Sequence, residues 1–174
     1  MLKKYSIVFL ALIILAGAFP VRAASTASRL SGRILLSVEQ SGEAWYVNPT
    51  DLKRYFLGRP DDAFKIMRQL GLGISEADFV NIPAENETTI AASPTAQRLA
   101  GRIILQVEKN GEAWYVNPVD NRKYYLGRPA DAFSVMRRLG LGISIADLAM
   151  VRRATATAPS AYNTYERKSV TIAS

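Results

Sequence analysis

The chain contains no cysteine and no histidine. The first absence excludes disulfides and thiol catalysis, and the second removes the usual general base and the commonest metal ligand. A small exported domain without disulfides relies on its apolar interior, on a metal or on association of its copies. Long hydrophobic runs are equally scarce: the one present, Ser6 to Phe19, follows Lys3 and Lys4 and ends at Pro20-Val21-Arg22-Ala23. That is the pattern of an export signal, with cleavage expected after Ala23. The run is too short to cross the roughly 30 Å hydrocarbon core, which needs about 20 residues, so residues 1–23 are read as a signal peptide and no membrane span is expected once it is removed. No cysteine follows the run, which excludes a lipid anchor of the lipoprotein type.

Acidic residues are the minority: 15 Asp and Glu against 22 Lys and Arg. Lys3, Lys4 and Arg22 of the surplus lie in the signal; beyond it residues 29–82 are neutral and the positive excess lies in the C-terminal half. A phosphate-binding protein needs a concentrated basic face, so nucleic acid is not expected as a partner. A mild attraction of the C-terminal half to anionic envelope polymers fits the distribution.

What the chain does have is itself, twice. Residues 29–82 align without a gap on residues 98–151, and 35 of the 54 positions are identical. A period of this size calls for repeat architecture. Within each copy, Arg33 to Glu39 alternates like a strand, Gln40-Ser41-Gly42 turns, and Glu43 to Asn48 reads as a second strand rich in Trp, Tyr and Val. Pro49-Thr50-Asp51 turns again, and Arg54 to Leu57 returns as a third strand. At Gly58-Arg59-Pro60 the period changes: Ala63, Phe64, Met67 and Leu70 make a helical stripe, with Asp61 and Asp62 in its first turn and Gly71 as a left-handed stop. Ser75 to Asp78 resembles a capping box opening a shorter helix. The fold class expected is therefore α+β: two tandem small modules, each a three-stranded antiparallel meander followed by one longer and one short helix covering one sheet face. Residues 83–97 read as a flexible linker and 152–174 as a disordered tail, in which Ser-Val-Thr-Ile could add an edge strand. Ala24 to Ser28 reads as a mobile leader.

The most informative residues are paired aromatics. Neighbours on a strand point to opposite faces, so Tyr46 is expected opposite Tyr55 and Trp45 opposite Phe56, with Tyr115, Tyr124, Trp114 and Tyr125 as their counterparts. If the helices cover one face, the other pair is either exposed as an interaction surface or buried by a partner. Candidate ligand-binding residues are thus Trp45, Tyr46, Tyr55, Arg59, Trp114, Tyr115, Tyr124 and Arg128, where aromatic planes stack on sugar rings and Arg bonds hydroxyls or anions. The competing reading makes every aromatic core, since a 54-residue module needs all the apolar area it can bury. For Arg59 and Arg128 the competing reading is a local pair with Asp62 or Asp131. Asp51, Asp61, Asp62, Asp120 and Asp131 have no calcium-loop spacing and read as turn and cap residues, so neither a metal nor a cofactor is expected. Glu43 and Glu112 have no partner carboxylate at a glycosidase spacing, and nothing reads as an enzyme.

The run AWYVNP, then YYLGRP, DAF and GLGI, resembles a module of exported bacterial proteins, of no assigned activity, that occurs singly or in tandem and sometimes beside cell-wall enzyme domains. The resemblance covers nearly all of both repeats and implies an envelope location. A looser similarity is to aromatic hairpin repeats that bind cell-wall choline, whose period is shorter and which lack helices. The expectation drawn is a secreted, non-enzymatic binding module for a cell-wall or surface polysaccharide, the alternative being an envelope protein-interaction module with its aromatics buried between modules or partners.

Overall fold

A computed structural model describes residues 24–58, 60–87 and 93–155, with only the backbone described at residues 60–62. The export signal, Arg59, the side chains of Asp61 and Asp62 and the Ser-Val-Thr-Ile stretch lie outside the described residues. The architecture is α+β, with two similar modules.

Strands β1 (Ile34–Ser37), β2 (Glu43–Val47) and β3 (Arg54–Phe56) form the expected meander in the first repeat, as β5 (Ile103–Gln106), β6 (Glu112–Val116) and β7 (Lys123–Tyr125) do in the second. The register pairs Trp45 with Phe56 and Tyr46 with Tyr55, and likewise Trp114 with Tyr125 and Tyr115 with Tyr124. The turn before β3 is held by its own side chains. Asn48 Oδ1 accepts from Thr50 N at 3.2 Å and Asp51 Oδ1 from Lys53 N at 3.1 Å, and Asn117 and Asp120 do the same in the second copy. These acids are turn residues, as their sequence context implies.

Each sheet has a fourth strand, and it comes from the other repeat. After helix α2 (Pro60–Leu70), residues Leu72–Ile74 form β4, which pairs in parallel with β5 of the second repeat. After the matching helix, Pro129–Leu139, residues Leu141–Ile143 form β8, which pairs in parallel with β1 of the first repeat. The two strand orders are β3-β2-β1-β8 and β4-β5-β6-β7. Gly71 was expected to be a left-handed helix stop; it is not among the positive-φ residues, and Gly140 has φ −66° and ψ 132°. The glycine is required by proximity: a Cβ at Gly71 would meet Leu105 Cγ at 2.6 Å, and one at Gly140 would meet Leu36 Cγ at 2.6 Å. Both clashing leucines belong to the opposite repeat, so the small residue admits the exchanged strand.

Short helices complete the exchange. Helix α3 (Glu76–Phe79) is capped by Ser75, whose hydroxyl accepts from Asp78 N, and the equivalent Ile145–Ala149 helix is capped by Ser144. The carboxylates of the opposite repeat finish these N-termini, where anions are favoured: Glu108 accepts from Glu76 N at 2.7 Å and Glu39 from Ile145 N at 3.2 Å. Three hydrophobic clusters result, and each mixes residues of both copies. The central one joins Ile34, Tyr46, Leu57 and Met67 to Ile103, Tyr115, Leu126 and Met136. The outer ones place Ile74, Phe79 and Ile82 on Ile104 and Val116, and Ile143, Leu148 and Val151 on Leu35, Trp45 and Val47. The two long helices pack on each other and on one face of each sheet in a single shared cluster, while the short helix of the other repeat covers the second face. This corrects the expectation of a sheet with one lid, and the physical reason is that neither 54-residue copy has enough helix to seal both faces alone.

The segments thought featureless are partly ordered. Ala24–Ser28 contributes to a short helix, α1 (Thr26–Arg29), capped by Ser25. Within the linker, Ser93 caps the helix Pro94–Arg98, and Pro83 O accepts from Lys123 N at 2.8 Å. At the start of the tail, Arg152 O accepts from Arg54 N at 2.8 Å and Ala154 N donates to Arg54 O at 2.9 Å. Isolated bridges between Ala84 and Lys123, and between Arg153 and Arg54, mark the same place in the two halves. Each repeat is thus followed by a strap laid along the outer edge of the opposite sheet. Among the described residues, no helix is long and apolar enough to cross a membrane.

Candidate functional site

The eight residues singled out from sequence do not converge on one site. Tyr46 and Tyr115 lie at the centre of the molecule, each 2% exposed, with ring centroids 6.5 Å apart in an edge-on arrangement. Tyr46 OH donates to Gly101 O and Tyr115 OH to Gly32 O, both at 2.7 Å. Desolvation, with the neighbouring tyrosine as a further cause for Tyr46, raises both hydroxyls far above the ordinary tyrosine pKa. Gly32 and Gly101 meet at this pseudo-two-fold centre with φ of +74° and +78°, and a Cβ on Gly101 would lie 2.5 Å from Gly32 Cα. The backbones touch there because no side chain intervenes.

Tyr55 and Tyr124 donate their hydroxyls to Asp51 and Asp120 at 2.7 Å. Burial first, then the hydrogen bond to that carboxylate, pushes each up to about 12. Arg128 is exposed and turns to Asp131, with Nε 3.4 Å from the carboxylate, as the local-pair reading had it. Arg59 lies outside the described residues.

The tryptophans diverge. Trp45, 6% exposed, packs on Phe56 with centroids 4.9 Å apart and carries two guanidinium groups, Arg54 at 4.9 Å and Arg153 at 5.4 Å from its ring centroid. Arg54 also donates to Leu148 O of the opposite repeat, and burial, then the charge of Arg153, lowers its pKa. Trp114 packs on Tyr125 with centroids 4.8 Å apart and on Phe79 at 5.2 Å, and it is only half-buried. Lys123 takes the position of Arg54: its Nζ donates to Phe79 O at 2.9 Å, lies 3.7 Å from the Phe79 ring centroid, and has its pKa lowered by burial.

The position of Arg153 is taken by Ala84, at the matching bridge on the matching strand. A methyl group stands where the first sheet has a guanidinium, and a groove of about 610 Å³ opens beside Trp114. Its walls include Ala84, Glu85, Glu112, Trp114, Tyr125, Arg138 and Lys123, whose Nζ lies 5.8 Å from the Trp114 ring centroid. Tyr125 is 41% exposed, and Arg138 pairs with Glu85 at 2.5 Å while lying over the Tyr124 ring at 5.5 Å. Chemically the groove offers an aromatic wall, a carboxylate in Glu112 that makes no ion pair among the described residues, and a second carboxylate already engaged.

Of the sequence candidates only Trp114 borders this groove; Tyr125, Glu85, Arg138 and Lys123 were not among them. The available signal was small. Tyr125 replaces Phe56 and Arg138 replaces Gln69 between the copies, and the decisive contrast, Ala84 against Arg153, lies just beyond the aligned block.

Fold and clusters together define a strand-exchanged tandem α+β protein with an aromatic-walled groove beside Trp114. Scans against protein-family models, curated proteins and solved structures matched none of them.

Proposed function

We propose that the chain is a non-enzymatic, extracytoplasmic interaction protein whose two repeats act as one body and whose working surface is the groove beside Trp114, occupied by a segment of a polypeptide partner. The reading rests on one observation: Trp45, Tyr46, Tyr55, Tyr115 and Tyr124 are buried in the core or at the joint between copies, whereas Trp114 and Tyr125 border an open groove. Concave, largely apolar sites with a few placed polar groups are the usual form of binding sites, and exposed aromatic area marks contact surfaces. A polypeptide is favoured because both sheets carry a strap of this chain at their outer edge, and on the first the strap's own side chain, Arg153, lies over Trp45 where the second has only the methyl group of Ala84. The export-signal pattern and the resemblance to modules of exported proteins support the location.

A second reading, an envelope polysaccharide stacked on the same rings, is favoured by the mixed rim of Glu112, Asn86 and Arg138 around the aromatic wall. Photocrosslinking in the producing cells separates the two. A photoreactive residue at position 125 is expected to yield a discrete polypeptide adduct, one at position 56 none, and the purified chain is expected not to be retained on peptidoglycan. Retention on peptidoglycan that is lost in Tyr125→Ala, with no polypeptide adduct, would give the groove to a wall polymer and overturn the proposal.

A further inference from the structure

We propose that the Trp114 groove receives a guanidinium group, the side chain of an arginine on the partner polypeptide, stacked on the Trp114 ring beside Tyr125 and paired with Glu112. The inference deepens the interaction reading above and rests on it. Its basis is internal: the protein contains the same tryptophan twice and fills one of the two faces with its own arginine. On the first sheet, Arg153 arrives on the strap bridged to Arg54 and lies 5.4 Å from the Trp45 centroid. On the second sheet the strap bridges the equivalent Lys123 in the same parallel sense, with Pro83 O accepting from Lys123 N, but its bridging residue is Ala84. The backbone edge is therefore already occupied there, and what is lacking relative to the first repeat is one side chain. A planar cation over an indole face is attracted by the ring quadrupole, and guanidinium stacks where ammonium does not.

The cations nearby do not forbid it. Trp45 carries two guanidinium groups at once, so a second cation beside this ring is an arrangement the fold already makes. Arg138 is neutralised by Glu85 at 2.5 Å, and Lys123 directs its ammonium to Phe79 O. The groove adds what the first repeat lacks, since Glu85 stands where that strap has Ala154 and a hydroxyl-bearing Tyr125 replaces Phe56.

The test uses the full chain and the pentapeptide acetyl-Val-Arg-Arg-Ala-Thr-amide, which copies residues 151–155. The indole N–H resonances of the two tryptophans are followed by NMR. The Trp114 signal is expected to shift saturably with a dissociation constant on the order of 1 mM, about tenfold more weakly for the peptide with lysine in place of both arginines, while Trp45 stays unmoved. Ala84→Arg, which supplies the guanidinium from within, is expected to weaken peptide binding by about tenfold or more, and Arg153→Ala is expected to make Trp45 respond as Trp114 does. The inference is overturned if Trp114 does not shift, if the lysine peptide binds as well, or if Ala84→Arg binds the peptide unchanged. It is equally overturned if soluble peptidoglycan fragments, and not the arginine peptide, move the Trp114 signal. A polypeptide adduct from position 125 together with a silent arginine peptide would sink the guanidinium alone; loss of both would sink the interaction reading as well.

Discussion

Trp45 and Trp114 stand at the same position of the two repeats, on strands of the same sequence, EAWYV, yet one is sealed and the other borders a groove. The difference lies in neither ring. It lies in the residue that follows each repeat, Arg153 over the first sheet and Ala84 over the second. Duplication copied the fold, and the straps outside the copied block decide which face remains open. At the molecular centre the comparison runs the other way: Gly32 with Gly101 and Tyr46 with Tyr115 are used identically, because each copy completes its partner.

The largest effect should come from that centre. Gly32→Ala and Gly101→Ala each force a Cβ into the opposite glycine at positive φ, and each is expected to cost roughly 3–5 kcal/mol from strain and overpacking. Chemical denaturation should give nearly equal losses for the two; a loss below about 1 kcal/mol in either would break the symmetry. Tyr46→Phe and Tyr115→Phe leave a buried glycine carbonyl without its donor and are expected to cost about 1–2 kcal/mol each, again equally. The same hydroxyls set an alkaline limit. Unfolded tyrosines release their protons near pH 10, whereas the four buried or Asp-bound tyrosines hold theirs to higher pH. The folded state then binds more protons than the unfolded one, so stability is full below pH 10 and falls as pH rises toward about 12. Tyr46→Phe should flatten that fall, and a stability flat from pH 9 to 12 would contradict the burial.

Smaller effects probe the difference between the repeats. Arg153→Ala removes a cation from Trp45 and is expected to cost about 0.5–1 kcal/mol and to shift Trp45 fluorescence to longer wavelength, read in a Trp114→Phe background. Ala84→Arg is expected to act with the opposite sign on Trp114. The smallest change is expected for Arg128→Ala, below about 0.5 kcal/mol, because its pair with Asp131 is exposed.

The meander, its aromatic register and the two helices per copy were legible in sequence because strand alternation, Pro-Asp turns and Ser caps are local signals. The exchange was not. Leu-Gly-Ile is too short to show a period, and a Gly-Leu-Gly run after a helix reads as a stop unless the leucine it must pass, Leu105 or Leu36 of the other copy, is already in view. The second lid of each sheet was missed for the same reason: Leu148 and Phe79 cover sheets to which they are not adjacent in sequence. As for the site, the ring pairs were visible, but which ring stays open depends on straps that looked like linker and tail.

Hydrogen exchange at the amides of Leu72–Ile74 and Leu141–Ile143 tests the central claim most directly. If each segment is the fourth strand of the opposite sheet, its hydrogen-bonded amides should exchange only through global unfolding, with the same protection in both repeats as β1 and β5. Exchange at loop rates, or protection that survives in one repeat while the other opens, would mean that the copies fold separately and that no strand is shared.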